Sequence, residues 1–162
     1  MLRHREALPS DPIAHALLAA YFAERSAGFP PEQGAYRPAF PADAVFTPPD
    51  GVFLVVEDDE DGASSPAGCG GIRRIAPSPD GRTRYEVKHL WLDVPHRGRG
   101  HGRRLLEELE RRAVGFGAEE LVLDTNASLE AAGGLYRSSG YEAIVPYNDN
   151  PNATDWYAKR VG

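Results

Sequence analysis

Between Val94 and Arg103 the chain reads Val-Pro-His-Arg-Gly-Arg-Gly-His-Gly-Arg, with glycine at 98, 100 and 102 and arginine at 97, 99 and 103. Alternate glycines remove side chains, so a backbone can approach a ligand closely and successive N–H groups can face one way. An amphipathic helix is expected to open here, over 103–116. The free N–H groups of its first turn and its dipole attract an anion. Arg104 extends the positive charge around the same spot. The chemistry this spacing suits is a phosphate or pyrophosphate cradle; the plainer reading is a glycine-rich turn with solvated arginines. Glycine costs a helix about 1 kcal/mol per position, so glycines at its mouth call for a reason. A Walker loop needs Gly-x4-Gly-Lys-Ser/Thr, and no lysine lies here. A dinucleotide site is the weaker alternative. Strand 84–94, helix 103–116 and strand 119–124 form a βαβ unit ending on Asp124, where a ribose-binding acid would sit, but the glycine spacing is G-x-G-x-G.

Two side chains upstream could move protons. Glu86 falls in an expected strand over 84–94, where a carboxylate is costly unless paired or functional. Lys88, two residues on, is its candidate ion-pair partner. His89, placed by alternation on the opposite face, has an unperturbed pKa suited to base chemistry, although a hydrogen-bonded structural histidine is the commoner fate.

The elements that must hold these residues follow from patterning. Asp11 caps a first helix with Pro12 in its first turn, and Ile13, Leu17, Leu18, Tyr21 and Phe22 share one face. Residues 30–50 are proline-rich and predict a winding segment with at most one short helix near 41–45. Strands are expected at 51–56, 69–75 and 84–94, with an acidic Gly/Ser-rich turn over 57–66, so antiparallel pairing follows. Beyond the 103–116 helix come a strand at 119–124, a helix at 129–139, a strand at 141–145 and a last strand at 155–161. At 162 residues, 41% hydrophobic and 26% charged, the chain is the size of one domain, 1–162. A net charge of −6 argues against wholesale nucleic-acid binding, and no apolar run is long enough for a membrane span. Met1–Ser10 has no signal-peptide core, and Cys69, the one cysteine, cannot form an intramolecular disulfide. The expectation is a cytoplasmic protein.

Arg97-x-x-Gly100-x-Gly102 resembles the Arg/Gln-x-x-Gly-x-Gly/Ala motif of the GNAT N-acetyltransferase superfamily. Ala132-x-x-Leu135-Tyr136-x-x-x-Gly140-Tyr141 is similar to that family's A-x-x-L-Y-x-x-x-G-F signature, and the resemblance runs from about Tyr85 to Val161. It implies an α/β fold: a single mixed, mostly antiparallel sheet of six or seven strands flanked by helices on both faces. It also implies acetyl-CoA as acyl donor, no metal, and attack of a primary amine on the thioester through a tetrahedral intermediate. The backbone of Leu92, Asp93 and Val94 would bind the pantetheine and thioester carbonyl. Arg97, Gly98, Arg99, Gly100, His101, Gly102 and Arg103 would hold the pyrophosphate, mostly through backbone.

Tyr136 matches the tyrosine that commonly protonates the leaving thiolate; its plainer reading is a core aromatic. Glu86 stands where some members place a carboxylate that deprotonates the amine through water, with His89 a second candidate. Many relatives carry asparagine where Leu129 stands. Asn126 lies three residues early and reads as a helix cap. The acceptor site would draw on the N-terminal helix and the loop 145–151, where Tyr147, Asn148 and Asn150 can hydrogen-bond a small polar substrate but are also ordinary turn formers. A small-molecule amine or amino acid is the expected acceptor, and a homodimer is compatible with the family. Alternatives are a protein N-terminus or lysine as acceptor, a non-catalytic acyl-CoA sensor, and a nucleotide-binding oxidoreductase.

Overall fold

Successive side chains of a strand point to opposite faces of the sheet, and the run Val52–Val56 uses both. In the computed structural model, which describes residues 1–60 and 62–162, seven strands form one sheet: β1 (Leu2–Glu6), β2 (Gly51–Glu60), β3 (Ala63–Ile75), β4 (Arg84–Leu92), β5 (Glu120–Thr125), β6 (Glu142–Ala143) and β7 (Asp155–Arg160). The helices are α1 (Pro12–Gly28), α2 (His101–Gly115) and α3 (Glu130–Ser138). Val52, Leu54 and Val56 pack with Leu105, Leu106 and Leu109 of α2. Phe53 and Val55 pack with Leu17, Leu18 and Phe22 of α1 on the other face. Helices therefore cover both faces, as the resemblance implies.

The strand order is β1-β2-β3-β4-β5-β7-β6. Only β4 and β5 pair in parallel, across the α2 crossover; every other pair is antiparallel. A doubly wound dinucleotide fold needs a mostly parallel sheet, so that alternative falls.

Several local expectations are corrected. β1 lies in a stretch given no strand, because its sequence LRHRE carries no apolar alternation. It is held by backbone pairing to β2 and by Arg3 and Arg5, each 2.7 Å from the Glu57 carboxylate. Most of the expected turn over 57–66 is strand, since β2 runs to Glu60 and β3 starts at Ala63; position 61 lies outside the described residues. The proline-rich segment holds two 3-10 turns, Pro31–Gln33 and Asp43–Phe46. Val94 leaves the strand for a 3-10 turn, Val94–His96. Asp11 does cap α1, accepting from the N–H groups of Ile13 and Ala14. Yet Ala14, rather than Ile13, is the buried residue of that turn.

Candidate active site

Two irregularities of β4 make the site. The first is a splay. Parallel pairing with β5 covers only Arg84–Glu86 against Glu120–Val122, while β4 runs on to Leu92, so the strands part beyond Glu86. The second is a bulge. Between the pairs Gly71↔Lys88 and Cys69↔Trp91, β3 supplies one residue and β4 two, His89 and Leu90. His89 takes a positive φ of 57°, unusual for a residue with a side chain. The bulge turns His89 onto the α1 face, the face Glu86 also occupies, where its ring meets Tyr21, Phe22 and Phe46 at 5.5–6.1 Å. The expectation of opposite faces assumed unbroken alternation, and the extra residue removes it.

Past the bulge, the Asp93 N–H bonds Ala67 O at 2.8 Å. Hydrogen-bonded and non-bonded pairs alternate in antiparallel ladders. The N–H of Leu92 therefore points away from β3, into the gap beside β5. Of the three expected backbone donors, Leu92 faces the gap. Asp93 is taken by Ala67, and Val94 by the Asp93 carboxylate at 2.8 Å.

The loop that follows carries Gly98 and Gly100 at φ of 76° and 81°, and α2 starts directly after them. No backbone N–H from Gly98 through Arg103 has an acceptor among the described residues. A Cβ at Gly98 or Gly100 would meet nothing within 4 Å, so this face is open. The arginines divide. Arg97 is turned away: Nε donates to Leu92 O at 2.8 Å and Nη2 to both oxygens of Glu24 at 2.8 Å, tying the loop to α1. Arg103 binds Ser138 and Ser139 at 2.7 and 3.0 Å, joining the first turn of α2 to the end of α3. Arg99 and Arg104 make no ion pair among the described residues and leave their charge to the loop. Burial, with Arg104 and Arg99 adding to it, lowers the pKa of His101. Gly102 lies against Leu92 and Leu135, so the loop abuts the helix that bears Tyr136.

Beyond the splay lies a cavity of about 490 Å³, with Tyr136, His89, Lys88, Asp124, Asn148 and Asn150 in its walls. The Tyr136 ring packs against Tyr141 and Tyr157, and its hydroxyl has no hydrogen-bond partner among the described residues. Burial first, then the charge of Asp124, pushes its pKa up to about 12. Burial drives the His89 imidazole the other way, to about 3, so the ring is neutral at ordinary pH.

Asp124, expected as a strand end and, in the dinucleotide alternative, as the place of a ribose-binding acid, reaches this cavity. Its carboxylate accepts from Asn148 Nδ2 at 2.8 Å and lies 3.6 Å from Lys88 Nζ. Trp156 Nε1 fixes the Asn148 amide from behind at 2.9 Å. Asn126 is fully buried; it accepts from Ser128 and donates to Gln33, so it braces the approach to α3.

Glu86 and Tyr147 stand apart from the cavity lining. Glu86 is 1% exposed, with Arg73 donating to Oε1 at 2.8–2.9 Å and the Tyr147 hydroxyl to Oε2 at 2.5 Å. Its ion-pair partner is thus Arg73 rather than Lys88, which pairs with Asp124. Both carboxylate oxygens are engaged. Removing one partner of a buried pair usually costs 3–5 kcal/mol, and the partial exposure of Arg73 reduces this to about 2 kcal/mol. Glu86→Ala is therefore expected to lower Tm by about 4–8 °C in a thermal melt. An unchanged melt would show the pair to be idle.

The profile described as "Acetyltransferase (GNAT) family" matches residues 13–141. An uncharacterized N-acetyltransferase of Schizosaccharomyces pombe is 33% identical over 107 residues, 65% of this chain and 61% of that protein. N-alpha-acetyltransferase RimI of Mycobacterium tuberculosis is 38% identical over 77 residues, 48% of this chain and 46% of that protein. The matched stretches therefore span less than two thirds of either relative. Among solved structures, a GNAT family acetyltransferase of Elizabethkingia anophelis with acetyl-CoA bound superposes with a TM-score of 0.66 at 14% identity, covering 99% of this chain and 98% of that one. That likeness is one of fold.

Proposed function

Because the chain belongs to the acetyltransferase (GNAT) family, we propose that it transfers the acetyl group of acetyl-CoA to a primary amine of a small molecule. The observation that carries this reading is the meeting of two features at Gly102. One is a run of N–H groups and two arginines without partners among the described residues; the other is a cavity that holds a protonated phenol and a carboxylate. The residues present fit the donor. Its diphosphate matches the N–H groups of Gly98–Arg103 together with Arg99 and Arg104. When bound, acetyl-CoA supplies an activated thioester at the splay.

The protein's own groups then divide the work. The Leu92 N–H donates to the thioester carbonyl oxygen as charge develops on it. Asp124 holds the acceptor's amine and takes its proton before the C–N bond forms. Tyr136 donates its hydroxyl hydrogen bond to the departing sulfur. His89, neutral and boxed by aromatic rings, shapes the wall beside them. Segments 36–41 and 148–152 contribute to the walls of the cavity of about 490 Å³, a volume that suits a compact acceptor.

Incubation with acetyl-CoA and a panel of primary amines is expected to release free thiol only when both are present. Failure of coenzyme A to associate at millimolar concentration would end the proposal. The similarity to RimI favours one further reading, a protein N-terminus as acceptor. Peptides in the same thiol assay discriminate the two.

A further inference from the structure

The cavity carries more positive charge than its known contacts use. Four cations stand in its walls, Arg25, Arg37, Arg73 and Lys88. Arg73 is held by Glu86 and Lys88 by Asp124. Arg25 is 8% exposed, yet it makes no ion pair among the described residues. Among the described residues its neighbours are neutral: Nη2 makes a long bond to Asn152 O at 3.4 Å, and the Tyr21 and Tyr36 hydroxyls lie beside it. Its guanidinium lies 4.9 Å from the Tyr36 ring centroid and 5.9 Å from that of Phe29. A guanidinium has five donors, and burying it without an anion is costly. Arg37 stands beside it. Asn152, whose carbonyl takes the Arg25 bond, also exchanges two hydrogen bonds with the Arg37 backbone at 2.9 and 3.0 Å. The Arg37 side chain is exposed and pairs with no carboxylate among the described residues. Asp149, the other carboxylate in the walls, is exposed and pairs with none of the cations.

We propose that Arg25, assisted by Arg37, binds a carboxylate of the acceptor, so that the substrate class is an amino acid rather than a simple alkylamine. The proposal rests on the acetyl-transfer reading for its amine and adds the second end of the molecule. Asp124, at the splayed strands, takes the ammonium end. Arg25, in the last turn of α1 beside the 148–152 loop, takes the carboxylate end, its planar fork matched to the two oxygens. The charge pattern of the cavity is complementary to a zwitterion.

The test measures binding and turnover separately. Common amino acids and their α-carboxamides are titrated into the coenzyme A-saturated protein and followed by ligand-observed NMR. At least one carboxylate is expected to bind about tenfold tighter than its carboxamide, the effect of one charge-assisted pair. Arg25→Gln should abolish that preference and leave coenzyme A affinity unchanged. Arg37→Gln, at the exposed rim, should reduce the preference about threefold and keeps the test available if Arg25→Gln does not fold. Carboxamides binding as tightly as carboxylates, no binding of either, or a preference surviving in both variants would each overturn the proposal. Thiol release separates the two readings. Turnover without carboxylate preference removes Arg25's role and keeps acetyl transfer; carboxylate-selective binding without thiol release does the reverse.

Discussion

Substituting Tyr136 by phenylalanine is expected to lower kcat by about 100-fold while the affinity for acetyl-CoA stays within about twofold. Two readings of this residue compete, and the variant separates them cleanly. If Tyr136 only fills the core, phenylalanine keeps its packing on Tyr141 and Tyr157 and the rate is unchanged. The hydroxyl has no partner among the described residues, so its loss costs the fold no hydrogen bond, and the melt should not move. On the acetyl-transfer reading, what the variant removes is a donor to a sulfur that becomes anionic only as the thioester breaks. With its pKa pushed up to about 12, first by burial and then by Asp124, the phenol stays protonated through the neutral range. A raised acid pKa means the donor form is lost only at high pH, so no descending limb from this group is expected near neutrality. Single-turnover rates with a fixed acceptor, set beside equilibrium binding of acetyl-CoA, give the result. Equal rates in both proteins would remove Tyr136 from the chemistry.

Where local patterning dominates, the fold could be read from residues. The spacing of Leu105, Leu106 and Leu109 defined α2, and the apolar run Val52–Val56 defined a strand with two buried faces. The glycines at 98, 100 and 102 marked a loop with open N–H groups. β1 escaped because charge pairs to Glu57, rather than apolar alternation, hold an edge strand in place. His89 was assigned the wrong face because one extra residue in β4 resets alternation, and that residue shows only against its pairing with β3. Asp124, legible in the sequence only as the acid of the dinucleotide alternative, became a candidate for acetyl transfer through tertiary structure. The splay of β4 from β5 exposes it, and the distant Asn148 turns its amide toward it. Arg25 did leave a signal. It sits three residues after Phe22 and four after Tyr21, on the apolar face of α1, where a charge requires a partner.

Asp124→Asn is expected to lower kcat/KM by about 100-fold at neutral pH and to give a profile that climbs with pH. The acceptor's amine, with a pKa near 8 for an α-amino group or about 10 for an alkylamine, arrives largely protonated. On the proposed reading a carboxylate serves it twice: it attracts the ammonium, and it takes the proton that must leave, passing it to solvent, before the nitrogen has a lone pair to attack with. The second proton, lost from the tetrahedral adduct, leaves with the sulfur as free thiol. Asparagine is nearly the same shape, and its carbonyl oxygen can still accept from Asn148, so the wall persists. Yet an amide cannot take up the proton. The variant must then wait for free amine from solvent, and its rate should rise with pH until the amine's own pKa is passed. His89 does not blur this profile. Its pKa is lowered to about 3, so it is uncharged across the neutral range and adds no limb there. Two acceptors of different amine pKa complete the argument, because in the variant the midpoint should move with the acceptor. A variant that keeps the native rate and profile would leave Asp124 with Lys88 as its only charge to balance, and the proton would need another destination.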